Sequence, residues 1–445
     1  MDVIALVVGA IIGWGSFTLP GSRFLQTSGV VDTAIGLAIG AVLMVFIQTG
    51  YHVMMLRHGD EGGEFSYAYK HLGPVVGFAV GWSLLLAYIS LVGLNGTAFV
   101  LVLKRVFGEA VSVGYLYSVA GYPVYVSDVA IASAVMVLFA WLNIRGLRGS
   151  ARVQNVLVLG LVANVAVVFA LMFFLVDLGP FAQSYLAGWS ISWGRVGSVV
   201  AIVPFLFVGF DVIPQVSRDL GFAPGAASRF AVLGIVLGAS LYAALNTLTG
   251  MVFSPDQVGS VTWPTGAAVQ SVLGPVGLGA LILALAGAVM GGINAFMLSS
   301  GKLAASLANH RFLPSGFLRR NQAGVHDRAV LLALGIGLIA PWAGREVVNY
   351  VVNMCSVLAG VAYLSTCLIS TRVGHGGERS QAVVGVLASL AFLLLLLVPG
   401  SPGQLGTTEF VALGVWMAIG VVVYVMRRPQ IGLGPFDGGE CEAAQ

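Results

Sequence analysis

Charge is what this sequence has least of. Asp, Glu, Lys and Arg together are 9% of its 445 residues, whereas a soluble globular chain carries about a quarter. A water-facing surface of ordinary size cannot be built from so few charges. Cysteine is nearly absent too: Cys355 and Cys367 lie in one apolar segment and Cys441 near the C-terminus. Three scattered thiols form neither a disulfide framework nor a metal-ligand pattern. The formal net charge is only +3, with no continuous basic patch, so nucleic acid is not an expected partner. The six histidines fall mostly in loops, and no Ser–His pair, carboxylate pair or ligand cluster marks a catalytic centre. No enzyme, cofactor or resident metal is expected.

What is present is apolar length. Hydrophobic residues make up 58% of the chain, in runs that recur from end to end, so a removable signal peptide does not account for them. Windows of about 20 apolar residues, the length that crosses a bilayer, predict twelve spans. They are Val3–Leu25, Val31–Leu56, Val75–Leu103, Val126–Asn143, Val153–Val176, Val196–Leu220, Phe230–Phe253, Leu273–Leu307, Ala329–Trp342, Val347–Ile369, Ala382–Val398 and Thr407–Met426. With the N-terminus inside, only Arg23, Lys104, Arg105, Arg195 and Arg345 face out, and the other sixteen of the 21 Lys and Arg face in. That bias predicts a multi-pass protein of the cytoplasmic membrane with both termini in the cytoplasm. Loops are short, so one domain is expected over 1–428, with 429–445 as a disordered cytoplasmic tail.

Two spans carry the signs of a broken helix. The first reads Gly9-Ala10-Ile11-Ile12-Gly13-Trp14-Gly15-Ser16-Phe17, with Pro20 a turn later. Glycine in a membrane helix often only permits close packing. Here two glycines flank one residue, which favours unwinding, and unwound backbone at membrane depth is tolerated where it lines a cavity or binds something. The sixth span holds Pro204 and Pro214 around Gly209 and Asp211. A proline pair alone can mean a kinked packing helix, but a carboxylate at this depth is costly and by default functional. The two spans take matching places in halves of five, the pattern of a transporter whose site lies between inverted repeats. Half-helix N-termini suit a carboxylate, and unwound carbonyls suit an ammonium or a cation. An amino acid or amine fits both.

Five stretches in order resemble the amino acid–polyamine–organocation superfamily: Gly9 to Phe17; Glu61-Gly62-Gly63-Glu64-Phe65-Ser66-Tyr67 with Gly73-Pro74 and Gly81-Trp82; Leu142 to Gly146 with Val153-Gln154-Asn155; Phe207 to Asp211; and Lys302 to Pro314. The resemblance covers nearly the whole chain. It implies an all-α integral membrane protein of the leucine-transporter type. In that fold residues 1–177 and 190–372 would be inverted five-helix repeats, 380–428 would add helices 11 and 12, and helices 1 and 6 would be broken. It further implies that backbone N–H groups of Trp14, Gly15 and Ser16, at a turn given by Gly13, hold a substrate carboxylate. Carbonyls near Phe205, Leu206 and Val208 would face its amine, with Phe205 either an aromatic gate or a lipid-facing side chain.

Two departures bear on coupling. The fifth span, Leu157 to Val162, has no lysine where many relatives place one, and the acidic pair after the sixth span reads Ser217-Arg218-Asp219. Sodium-coupled relatives would imply a site from the carbonyls of Gly9 and Ile12 and the hydroxyls of Ser299 and Ser300. Such serines often only bond their own backbone. A proton carried by Asp211, or plain exchange, remains open beside sodium. Asn95, Asn294 and Ser356, on spans that line the site in this fold, are pocket candidates, although Asn in membrane helices commonly bridges neighbours. A major-facilitator protein would also have twelve spans, but it would carry a charged Gly-Arg-rich loop where this chain has Gly-Gly-Glu-Phe. The expected function is a permease for an amino acid, polyamine or related amine. The alternatives are a sensor or subunit that binds without transport, and an amine exchanger.

Overall fold

The computed structural model describes residues 8–58, 62–119, 122–215, 224–261, 263–344 and 347–431. Arg218 and Asp219, and the tail from 432 onward, lie outside them. Among the described residues, nine helices are long and apolar enough to cross a membrane, which makes the chain a multi-pass membrane protein.

Seven of these helices follow the hydropathy windows closely: Val31–Arg57, Pro74–Phe107, Val126–Ile144, Leu147–Leu175, Val347–Val373, Gly377–Leu397 and Thr407–Ile431. Each is apolar around most of its circumference, as a helix flanked by lipid and by other helices must be. Pro224–Gly250 begins earlier than its window. The overlong eighth window belongs to a helix running Pro264–Asn309 with non-helical backbone at Gly274 (φ 64°), immediately before Pro275. Proline cannot continue the ladder, and glycine accepts the left-handed turn that precedes it.

The three remaining windows are not continuous helices. The first gives way at Ile12–Trp14, resumes over Gly15–Leu19, passes through a π-helical turn at Pro20–Phe24 and ends at Leu25–Ser28. The sixth is split into Trp193–Ala201 and Val203–Phe207, followed by turns at Val208–Asp211. The ninth has an 11-residue helix, Asp327–Gly337, and a 3-10 turn at Ala340–Ala343. The all-α expectation needs one amendment. Tyr115–Val119 and Tyr122–Tyr125 pair as an antiparallel hairpin between the third and fourth windows. This segment is tyrosine- and valine-rich, the composition that suits strands.

Packing centres on the Pro74–Phe107 helix, where Trp82 and Trp416 stack at 4.4 Å and exchange indole N–H bonds with each other's backbone carbonyls at 3.0 Å. Those bonds tie the last long helix to the bundle. The lipid-facing sides are left apolar and exposed, as at Phe174, Leu283 and Met426.

Candidate functional site

The two interruptions meet. Gly209 has φ +132°, and a Cβ built on it would lie 2.6 Å from the Ala10 Cβ and 2.8 Å from the Ile11 nitrogen. Only glycine lets the backbones of the two broken spans approach this closely. A second contact sits one turn on. A Cβ on Gly15 would be 3.2 Å from Phe205 Cε1 and 3.2 Å from the Tyr242 hydroxyl. Phe205 is buried against this glycine, so it packs inward and the lipid-facing alternative is excluded.

Local hydrogen bonds explain how the first break holds its shape. The Ser16 hydroxyl donates to the Gly13 carbonyl at 2.7 Å, the Ser16 N–H bonds the same oxygen at 3.2 Å, and the Thr18 hydroxyl donates to the Trp14 carbonyl at 2.9 Å. The Trp14 N–H reaches the Asn95 side-chain oxygen at 3.5 Å, while Asn95 anchors its own amide on the Leu91 carbonyl at 2.8 Å. Asn95 therefore stands at the break, with Gly13 and Gly292 leaving room on either side of it. Leu206 and Val208 are buried in the second break, where the Val208 N–H bonds the Pro204 carbonyl at 3.1 Å.

The other candidates distribute differently. Asn294 accepts a bond from Asn143 at 2.9 Å and so links the Pro264–Asn309 helix to Val126–Ile144. The Ser356 hydroxyl donates to the Val352 carbonyl of its own helix at 3.0 Å. Ser299 and Ser300 donate to Ala295 and Phe296, at 2.9 and 2.7 Å. A hydroxyl used in this way keeps its lone pairs. Gly9 and Ile12 lie buried on the approach to the first break.

Asp211 is the largest surprise. It is fully buried, and sequence offered it no partner inside the membrane, yet its two oxygens are both engaged. Oδ1 accepts the Gly209 N–H at 2.6 Å, and Oδ2 accepts the Tyr88 hydroxyl at 2.9 Å. Glu64, in the Gly-Gly-Glu-Phe loop between the second and third windows, is also fully buried and accepts from Gln215 Nε2 at 2.8 Å. Tyr51, Tyr88 and Tyr363 complete a buried polar group around these carboxylates. A tyrosine inside an apolar run normally marks the membrane interface, which hid these three. The one available signal was their occurrence in spans that hold no other reason for a phenol.

A multi-pass helical protein in which two interrupted helices cross at a buried, glycine-lined and acidic site is built as a membrane transport protein. Residues 1–426 match the family described as amino acid permease, and the chain belongs to that family, within the amino acid–polyamine–organocation superfamily. It is 22% identical to an arginine/ornithine antiporter of Latilactobacillus sakei over 95% of this chain and 94% of that one. It is 24% identical to a branched-chain amino acid permease of Lactococcus lactis over 95% and 92%. A low-affinity putrescine importer of Escherichia coli is 29% identical over 48% of this chain and 45% of its own length. The family and these relatives are transporters, not enzymes.

Proposed function

We propose that this protein is a secondary permease that moves an amino acid or a related amine across the cytoplasmic membrane by alternating access. The observation that carries this reading is the seating of Gly209 on Ala10 and Ile11, which puts both interrupted helices at one place. In this reading twelve spans form the leucine-transporter-type fold. Residues 1–177 and 190–372 are inverted repeats, two closing helices lie in 380–428, and both termini are cytoplasmic.

The chemistry follows from the breaks. Backbone N–H groups at Trp14, Gly15 and Ser16 hold the carboxylate of the solute. The 3.5 Å bond from Trp14 to Asn95 is long for an N–H···O contact, so a carboxylate displaces it at little cost. Carbonyls at Phe205, Leu206 and Val208 face the ammonium, and Phe205 closes over it. Coupling comes from a proton, from sodium at Gly9, Ile12, Ser299 and Ser300, or from exchange of one solute for another. The buried Asp211 carboxylate favours a cationic amine and hence an exchanger for amino acids or polyamines as the second reading. The antiporter and the putrescine importer among the relatives act on such solutes.

The test is a thermal-shift screen of the purified protein against amino acids and amines, since a ligand stabilises by RT ln(1 + [L]/Kd). Hits are then used in counterflow assays with proteoliposomes. Stabilisation followed by counterflow is expected. Stabilisation without counterflow would make the protein a sensor, and no stabilisation by any amino acid or amine would remove the reading.

A further inference from the structure

Glu64 stands at the start of the short Gly63–Leu72 helix, outside the membrane-crossing helices, and yet is fully buried. The reason is the approach of this helix to the sixth span. Gly62 and Gly63 take φ +100° and +48°, and a Cβ on Gly63 would lie 2.8 Å from Gln215 Nε2. The helix start is thus pressed against the segment that follows Asp211. Gln215 satisfies Glu64 Oε2, whereas Oε1 has no hydrogen-bond partner among the described residues.

Two phenols nearby are in the same condition. The hydroxyls of Tyr51 and Tyr363 are buried and have no hydrogen-bond partner among the described residues. Their rings both pack on Phe210, at 5.0 and 5.4 Å, and on each other at 6.1 Å. Tyr51 and Glu64 are near enough to act on each other electrostatically. The titratable groups that act electrostatically on this place come from five elements, and after Pro264–Asn309 the His310 ring packs 4.9 Å from Phe65, beside Glu64. Tyr51 comes from Val31–Arg57, Glu64 from the short helix, and Tyr88 from Pro74–Phe107. Asp211 and Gln215 come from the sixth span, and Tyr363 and Cys355 from Val347–Val373. Among these described groups none is cationic. Two carboxylates within electrostatic reach of each other, with no cation among the described groups that act on them, cannot both stay ionised in a dry interior.

We propose that Glu64 and Asp211, with the hydroxyls of Tyr51, Tyr88 and Tyr363 and the amide of Gln215, form a binding site for one proton. The proton sits on the pair while the Gly63–Leu72 helix is closed on the sixth span. Parting of the two lets water reach Glu64, and the proton leaves to that side. Burial pushes the Glu64 carboxyl well above the ordinary carboxylate range, and the charge of Asp211 pushes it the same way. Gln215 opposes both by donating to the anion. The role of this proton in coupling rests on the proposed transport function, whereas its binding does not.

The sign of the effect gives a test that needs no solute. A carboxyl whose pKa is raised in the folded state adds stability below its unfolded pKa of about 4.3, and that stability is lost as pH rises through the folded value. The thermal midpoint of the purified full chain, followed from about pH 5 to about pH 9, is expected to fall in the wild type. In Glu64→Gln the fall should flatten. A Glu64→Gln protein with the wild-type slope overturns the site. If that variant does not fold, Gln215→Met removes the donor to the anion and should move the fall to higher pH; an unmoved fall overturns the site equally. Sodium chloride in place of choline chloride, raising the midpoint of the wild type but not of Glu64→Gln, would overturn the proton as the ligand and make it a metal cation. In proteoliposomes, uptake without any accompanying pH change would overturn the coupling role. Absence of uptake for every amino acid and amine would instead overturn the transport reading, with the melting curves still deciding the proton site.

Discussion

Gly209 rests on Ala10, with 2.6 Å between a Cβ built on the glycine and the Cβ of the alanine. The two residues are nearly two hundred positions apart, and each sits at the edge of a helix interruption. At φ +132° no other residue is at ease there, and any side chain would also strike the backbone of Ala10 and Ile11. Gly209→Ala is therefore expected to lose both stability, by about 1–3 kcal/mol, and uptake. Thermal unfolding of the purified variant and a proteoliposome uptake assay check this. Wild-type values for both would mean that the two breaks do not need this contact.

At Gly15 the clash is milder and the outcome should be graded. A methyl group would stand 3.2 Å from Phe205 and Tyr242 and 3.3 Å from Leu19, distances that small shifts of side chains can relieve. Gly15→Ala should retain part of the uptake. Gly15→Leu should abolish it while the protein still reaches the membrane. Full uptake by a well-expressed Gly15→Leu would sink the carboxylate site at this turn.

The long helices were legible because lipid and core both demand apolar side chains, so hydropathy windows found their ends to within a few residues, as at Val31–Arg57 and Thr407–Ile431. The breaks were legible from glycine and proline chemistry. The partners of the carboxylates were not. Glu64 follows two glycines in what reads as a loop, and its partner Gln215 is remote in sequence. Tyr88 bonds Asp211 across a similar separation. Such pairings are tertiary and leave no periodic trace. Asn294, a pocket candidate that sequence equally allowed as a bridge between helices, links two of them through Asn143. The hairpin at Tyr115–Tyr125 was missed because its strands are only five and four residues long.

Orientation is open to direct measurement. Gln322 is exposed in the segment before Asp327–Gly337, and the Lys and Arg bias of the sequence predicts that it faces the cytoplasm. In a Cys441→Ser background, a cysteine placed there should react with an impermeant thiol reagent only after the membrane is opened, the native Cys355 and Cys367 being buried. Labelling of intact cells would reverse the assignment of both termini.

Sodium coupling depends on two hydroxyls that presently donate to their own helix at Ala295 and Phe296. If their lone pairs hold the ion, choline in place of sodium should lower uptake, and Ser299→Ala should weaken the sodium dependence. A hard cation seeks about five or six oxygens, so losing one should raise the sodium concentration needed without abolishing transport. Wild-type uptake that is indifferent to sodium removes this site.

Asp211 separates charge from shape. Its Oδ1 holds the Gly209 N–H and its Oδ2 the Tyr88 hydroxyl. In Asp211→Asn the amide oxygen can stay on Gly209, and the amide NH2 can face Tyr88, whose hydroxyl turns to accept. The hydrogen-bond count survives and the charge does not, so this variant should fold with a loss of only about 1 kcal/mol. Asp211→Ala leaves a buried N–H unsatisfied and should cost about 1–3 kcal/mol. Transport then tells which role the carboxylate plays. If it faces a cationic amine, Asp211→Asn should weaken that solute by about 1–3 kcal/mol, roughly tenfold to a hundredfold in Kd. If it alone carries the proton, transport should lose its pH dependence; if it shares the proton with Glu64, the dependence should move to lower pH, because Glu64 loses the neighbouring charge that raises it. Titration of binding by thermal shift and uptake across about pH 5 to 8 read these two effects separately. A well-folded Asp211→Asn with wild-type affinity for cations and a wild-type pH profile would leave the carboxylate one task, that of bracing the broken helix through Gly209.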